Sequence, residues 1–228
     1  VDMIKLPFKK IDAFSTGLSG GNPAAAIYLE SQSQINDSVK QQIAKELKGF
    51  VSEVGFVSVG SCADYALCFY SSEREVAFCG HATIAIMYDM IANDASLHDI
   101  PCFSIETRHQ RIEVENRFSK DKSVFVSSPS PEFIEPNSLS IETVAAALGC
   151  ESQCFDFKYG IQIIEAGLKT LIVPVKDLSE IVSISPDLEK LKQFCVAIGV
   201  DIVLLFSNDV AKPNSDYRTR VFAPTFGY

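Results

Sequence analysis

Two short stretches of this 228-residue chain carry side chains that could move a proton. In VSEVGFVSV, residues 51–59, a strand would put Val51, Glu53, Gly55, Val57 and Val59 on one face, so that one carboxylate projects from an apolar row. A carboxylate drawn out of water in that way is suited to taking and giving a proton as a general acid/base. Gly55 leaves room for a ligand beside it. The same pattern also fits a glutamate at the rim of a sheet or on a wet face.

The second stretch is FCGHATIAIM, residues 78–87. Gly80 follows a strand ending at Cys79 and opens a helix, so the backbone N–H groups of Gly80, His81 and Ala82 are left to face an anion such as a carboxylate or enolate. His81 in the first turn could donate to that anion or shuttle a proton. Cys79 could act as a nucleophile or an acid/base thiol, with the helix end favouring its thiolate. Two plainer readings stay open: a strand-to-helix turn with a surface histidine, and a Cys79 that only fills space behind Val76-Ala77-Phe78.

Other motifs are weak. GLSGGNP, residues 17–23, lacks the strand and helix that flank a dinucleotide site, and neither a GK[ST] run nor a G-x-S-x-G elbow occurs. Acidic residues outnumber basic ones 29 to 20, without a basic cluster to track phosphates, so nucleic acid is not expected as a partner. Apolar runs fall well short of the ~20 residues that span a bilayer, and no secretory signal is visible. No membrane partner is expected, and the chain reads as cytoplasmic. The seven cysteines form no C-x-x-C pair and mostly sit in apolar segments, which predicts reduced, buried thiols. The three histidines are scattered, so no metal is expected.

The elements that must position these residues are short strands with a few helices. Strands are predicted at residues 5–14, 23–29, 50–59, 65–71 and 75–78, with a glycine-rich turn over 17–22. Ser38-x-x-Gln41 reads as a capping box opening a helix whose Val39, Ile43, Ala44 and Leu47 share a face. A helix from about His81 to Ala92 is apolar nearly all round, so a sheet should enclose it. Further strands follow at 103–107, 110–115 and 123–127, and Pro129, Pro131 and Pro136 mark a linker. The second half predicts a helix at 140–148 closed by Gly149, strands at 159–165 and 169–175, a helix capped by Ser185-Pro186 and closed by Gly199, and strands at 201–207 and 218–223.

The halves show a weak internal repeat. Residues 24–29 match 170–175, residues 43–58 match 191–206 with Glu53 on Asp201, and residues 68–73 match 221–226. In that register the counterpart of CGHAT falls just past Tyr228.

Taken in order, DAF…GNPAA (Asp12–Ala25), SEVGF (Ser52–Phe56), EVAFCGHAT (Glu75–Thr83), EAG…VPV (Glu165–Val175) and RVFAP..G (Arg220–Gly227) resemble the PhzF phenazine-biosynthesis-like family, relatives of diaminopimelate epimerase. The resemblance implies an α+β fold of two similar lobes, residues 1–120 and 121–228. Each would be a curled, mostly antiparallel sheet or barrel around a central helix, with the active site in the cleft between them. The second lobe is expected to be incomplete at its C-terminus and to expose an apolar face. The resemblance further implies an isomerase that uses Glu53 to move a proton between carbons of a small carboxylate-bearing substrate, assisted by His81 and without cofactor or metal. Asn22, Gly80, Ala82 and Thr83 would bind that substrate. The same motifs resemble those of two-cysteine epimerases and racemases, in which Cys79 would be one of the two thiols. A binding protein that keeps the cleft without the chemistry is the reading from another class. A homodimer is expected only from the general frequency of two-fold assemblies.

Overall fold

The protein is described by a computed structural model covering residues 4–17, 20–135 and 139–228. Leu18 and Ser19 of the glycine-rich turn and Pro136 of the expected linker lie outside the described residues. The chain divides into two compact units, Val1–Ser128 and Pro129–Tyr228.

The first unit contains β1 (Phe8–Ala13), β2 (Asn22–Tyr28), α1 (Asp37–Glu46), β3 (Glu53–Val59), β4 (Tyr65–Tyr70), β5 (Glu75–Val76), α2 (Gly80–Asn93), β6 (Cys102–Glu106), β7 (Arg111–Arg117), the short α3 (Phe118–Asp121) and β8 (Ser123–Val126). They build one sheet in the order β1-β2-β3-β4-β6-β7-β8, with β5 attached to β4. Pairing is antiparallel except between β2 and β3 and between β4 and β6. The boundary expected at residue 120 moves past β8, because Ser123–Val126 pairs with β7 and completes this sheet.

Helix α2 touches β1, β2 and β3 and also β8 at the opposite end of the strand order, so the sheet curls around it. Its composition requires this. Ala82, Ala85, Ile86, Met87 and Ile91 are all buried, which leaves Tyr88 as the main apolar group turned outward. The other face of the sheet carries a second core, in which Ala25, Ile27, Val54, Phe56 and Tyr70 pack with Ala44 and the flanks of α1. Thus β3 is buried on both faces. The cap of α1 is Asn36, whose side chain accepts from the Val39 N–H; Gln41, read as half of a capping box, donates instead to the Ser71 carbonyl. Val39, placed on the apolar face by periodicity, is 42% exposed.

The second unit contains β9 (Glu132–Ile134), α4 (Ile141–Leu148), β10 (Gln162–Glu165), β11 (Lys169–Pro174), α5 (Leu178–Ser183), α6 (Leu188–Ile198), β12 (Ile202–Ser207) and β13 (Arg218–Phe222). The sheet runs β13-β12-β11-β10-β9, with β11 and β12 parallel and the rest antiparallel. Val144 and Leu148 of α4, Ile181 of α5 and Leu191 of α6 pack on Leu171, Val173, Val203 and Leu205. The alternate strand positions Ile172, Leu204 and Phe206 are half-buried and Val221 is half-exposed. Asp187, rather than Ser185, caps α6 by accepting from the Glu189 and Lys190 N–H groups, while Gly149 and Gly199 close α4 and α6 in the left-handed conformation.

The internal repeat is real in topology but shifted in register. Each unit has a parallel strand pair, β2/β3 and β11/β12, joined through helix and followed by an antiparallel strand. Ala24 pairs with Glu53, whereas Thr170 pairs with Ile202, so Ile202 rather than Asp201 stands where Glu53 does. Asp201 is one residue short of the strand and accepts from the Lys169 N–H at 2.8 Å. A one-residue shift moves a side chain to the opposite face of a sheet.

Candidate active site

Glu53 is the first residue of β3 and points to the α2 side of the sheet. A Cβ built on Gly55, two residues along on the same face, would run into Ile86 of α2. Only 3% of Glu53 is exposed, which decides between the two readings of the strand: the carboxylate is buried, not wet.

Phe78 and Cys79 bring the chain to the start of α2, where Cys79 is the N-cap residue and offers no hydroxyl or carboxylate to the first turn. The Thr83 N–H and hydroxyl both return to the Cys79 carbonyl, at 3.0 and 2.7 Å. Thr83 and Ala82 are fully buried, so neither presents its side chain to a ligand. The Ala82 N–H lies toward the Cys79 sulfur. Among the described residues, the Gly80 and His81 N–H groups have no hydrogen-bond partner, which leaves them as donors at the helix end. A Cβ on Gly80 would meet Phe78 only at ordinary contact distance, 3.6 Å, so no backbone demand explains that glycine.

His81 lies between the two other candidates. Its Nε2 is 3.2 Å from Glu53 Oε2 and its Nδ1 is 3.5 Å from Cys79 Sγ. The Nε2 contact is close without hydrogen-bond alignment. The His81 side chain is 13% exposed, which makes it the most open member of the trio. Burial, and then the Glu53 carboxylate, push the Cys79 thiol well above the ordinary thiol range, so it is held protonated despite the helix end. Asn22 begins β2 and accepts a 3.1 Å bond from the Ser52 hydroxyl, one residue before Glu53, so it sits on the strand neighbouring the carboxylate.

The ligand atoms of Glu53, Cys79 and His81 lie within 4.8 Å of one another, a spacing that could hold a metal ion. However, the imidazole turns a different nitrogen to each neighbour, which suits proton transfer along a line better than convergence on one ion. Of the seven cysteines only Cys79 and Cys195 are buried, while Cys62 and Cys102 are exposed, contrary to the expectation that most would be inside. Among the described residues no helix is long and apolar enough to cross a membrane.

A curled sheet wrapped around an apolar helix is the fold this chain shares with solved epimerase and racemase structures. The model of the phenazine biosynthesis-like protein family (PhzC-PhzF) matches residues 11–228, and the chain belongs to that family. It is 28% identical over 219 residues to "Uncharacterized isomerase YfhB" of Bacillus subtilis, covering 95% of this chain and 72% of that protein. A crystal structure of the Bacillus anthracis phenazine biosynthesis protein, PhzF family, superposes with a TM-score of 0.80 at 22% identity, covering 96% of this chain and 73% of that one. A hydroxyproline epimerase from Agrobacterium vitis, crystallised with trans-4-hydroxy-L-proline, shares the fold at a TM-score of 0.55 and 11% identity, over 96% of this chain and 70% of that one.

Proposed function

We propose that this protein is an isomerase that moves a proton between carbons of a small carboxylate-bearing molecule, with Glu53 as the general acid/base and His81 assisting. The observation that carries this reading is the buried Glu53 carboxylate, 3.2 Å from His81 at the start of α2. Glu53 takes a proton from a substrate carbon and becomes a carboxylic acid. The electron pair left behind spreads into the neighbouring π system, and the Gly80 and His81 N–H groups face the oxygen on which negative charge grows. Glu53 then returns the proton to a different carbon, so that the enzyme is regenerated and no atom is lost. The isomerase name of YfhB and the amino acid bound by the hydroxyproline epimerase support the reaction class and the carboxylate.

The two-thiol reading places Cys79 as one of the acid/base groups. Its burial and the nearby carboxylate weigh against it, because a base must be able to lose its proton. Solvent-deuterium incorporation into a panel of small carboxylates separates the two. Wild type should exchange, Glu53→Gln should lose roughly 10²–10⁴-fold of the rate, and Cys79→Ala should stay within a few-fold. Exchange kept in Glu53→Gln and lost in Cys79→Ala would overturn the assignment.

A further inference from the structure

A cavity of about 820 Å³ opens on the face of the first unit's sheet opposite Glu53. It falls within the ~300–1,000 Å³ usual for small-molecule sites. The alternation of β3 sets the two apart: Glu53 and Gly55 face α2, while Phe56 and Ser58 line this cavity. Its origin lies in the sheet. Strands β4 and β6 pair only through Tyr65 with Ile105 and Ala66 with Glu106, after which β6 turns into the 107–110 hairpin and this edge of β4 has no strand beside it until β5 joins at Phe69. Cys68 is therefore left as part of the floor, between that hairpin and α1.

The floor is apolar, with Leu29, Ile35 and Phe56 each at most 9% exposed. The charged lining is cationic, unlike the chain as a whole with its formal charge of −9: Lys40, Arg108 and Arg111 stand against Asp37 and Glu106. Both carboxylates are occupied. Glu106 accepts from the Ser61 N–H at 2.6 Å, the Cys62 N–H at 3.1 Å and Gln32 at 2.8 Å. Asp37 accepts from Arg108 at 2.7 Å, and the other arm of Arg108 reaches Glu75 at 2.8 Å.

Two other cations line the cavity. Lys40 is 6% exposed; it is paired with Asp37 at 3.5 Å and meets the Cys68 thiol. A buried ammonium is costly unless it is closely paired. Arg111 donates to the Cys62 carbonyl at 2.9 Å and makes no ion pair among the described residues.

We infer that this cavity is a second small-molecule site, independent of the Glu53 site. Its ligand has an apolar body that lies on Phe56 and Cys68, and an anionic oxygen group, carboxylate or phosphate, that meets Lys40 inside and Arg111 at the rim. A planar guanidinium with free donors is suited to either oxyanion.

Phenyl phosphate and benzoate titrated into the whole protein, followed through backbone amide NMR shifts, test this. Saturable shifts are expected at Ser58, Cys68 and Arg111, and the tighter of the two probes identifies the oxyanion. Arg111→Gln, a change at an exposed position, should weaken that binding roughly tenfold, as loss of a charge-assisted bond does. Lys40→Gln, with a retained native spectrum, should weaken it at least as much, while Glu53→Gln should leave it unchanged. The inference fails if neither probe moves these amides at about 10 mM, a concentration that would nearly saturate a ~1 mM site. It fails equally if Arg111→Gln binds as wild type does, or if shifts are confined to residues around the start of α2. Because Glu53→Gln is a control here, loss of the isomerase reading would leave this result standing.

Discussion

At the scale of single residues, Cys79 shows how position and environment compete. A helix N-terminus lowers the pKa of an accessible cysteine, yet Cys79 is 5% exposed and its thiol is pushed up, first by burial and then by the Glu53 carboxylate. Removal from water outweighs the partial charge of the helix end. Maleimide labelling of the native protein near neutral pH, read by peptide mass, should therefore mark the exposed Cys62 and Cys102 and spare Cys79 and Cys195, with all of them labelled in denaturant. Rapid native labelling of Cys79 would show an open, ionised thiol and would revive the two-thiol reading. The sequence alone left this open, because FCGH reads equally well as a reactive helix end or as a packed one.

At the scale of elements, the contact of β3 with α2 aims the carboxylate. Gly55 lies against Ile86, which is fully buried and has little room to turn, so a methyl at position 55 would force the two elements apart. Gly55→Ala should cost about 1–3 kcal/mol of stability, the usual range for overpacking. Gly55→Ala with Ile86→Val should recover part of it, a non-additivity that urea unfolding of the four members of the cycle would measure. Simple additivity would mean that the strand and helix do not meet as described. The space that the sequence offers a ligand beside Gly55 is taken by the helix. The same gap between pattern and packing explains the caps: Ser38 and Ser185 have suitable hydroxyls, while Asn36 and Asp187 have the backbone geometry.

At the scale of the whole molecule, thiols held above their ordinary range tie stability to pH. Burial, with Asp201 adding to it, pushes the Cys195 thiol up to about 11, and burial with the neighbouring Cys154 does the same for Cys150. A thiol raised in the folded state favours folding while the unfolded thiol is still protonated. As pH climbs past the ordinary thiol value near 9 toward 11, only the unfolded form ionises, and stability is lost across that window. Unfolding by urea at about pH 8 and about pH 10.5 should show this fall, and Cys195→Ala should reduce its size, although it weakens the protein at both pH values. An identical pH dependence in the variant would remove Cys195 as a contributor.

The sequence by itself determined the class of elements, the all-round apolar helix that a sheet must enclose, and the two motifs that meet at the site. These follow from periodicity and from glycine and cap signals, which act within a few residues of chain. Tertiary structure decided what depends on contacts distant in sequence. It brought Glu53 to within 3.2 Å of His81, 28 positions later, and carried β8 into the first sheet past the expected boundary. It set Ile202 rather than Asp201 in the place of Glu53, because weak similarity cannot resolve a one-residue slip while strand pairing allows only one register. It also opened the cavity on the far face of β3, where β4 and β6 part after two residue pairs. No local pattern records where two strands stop pairing.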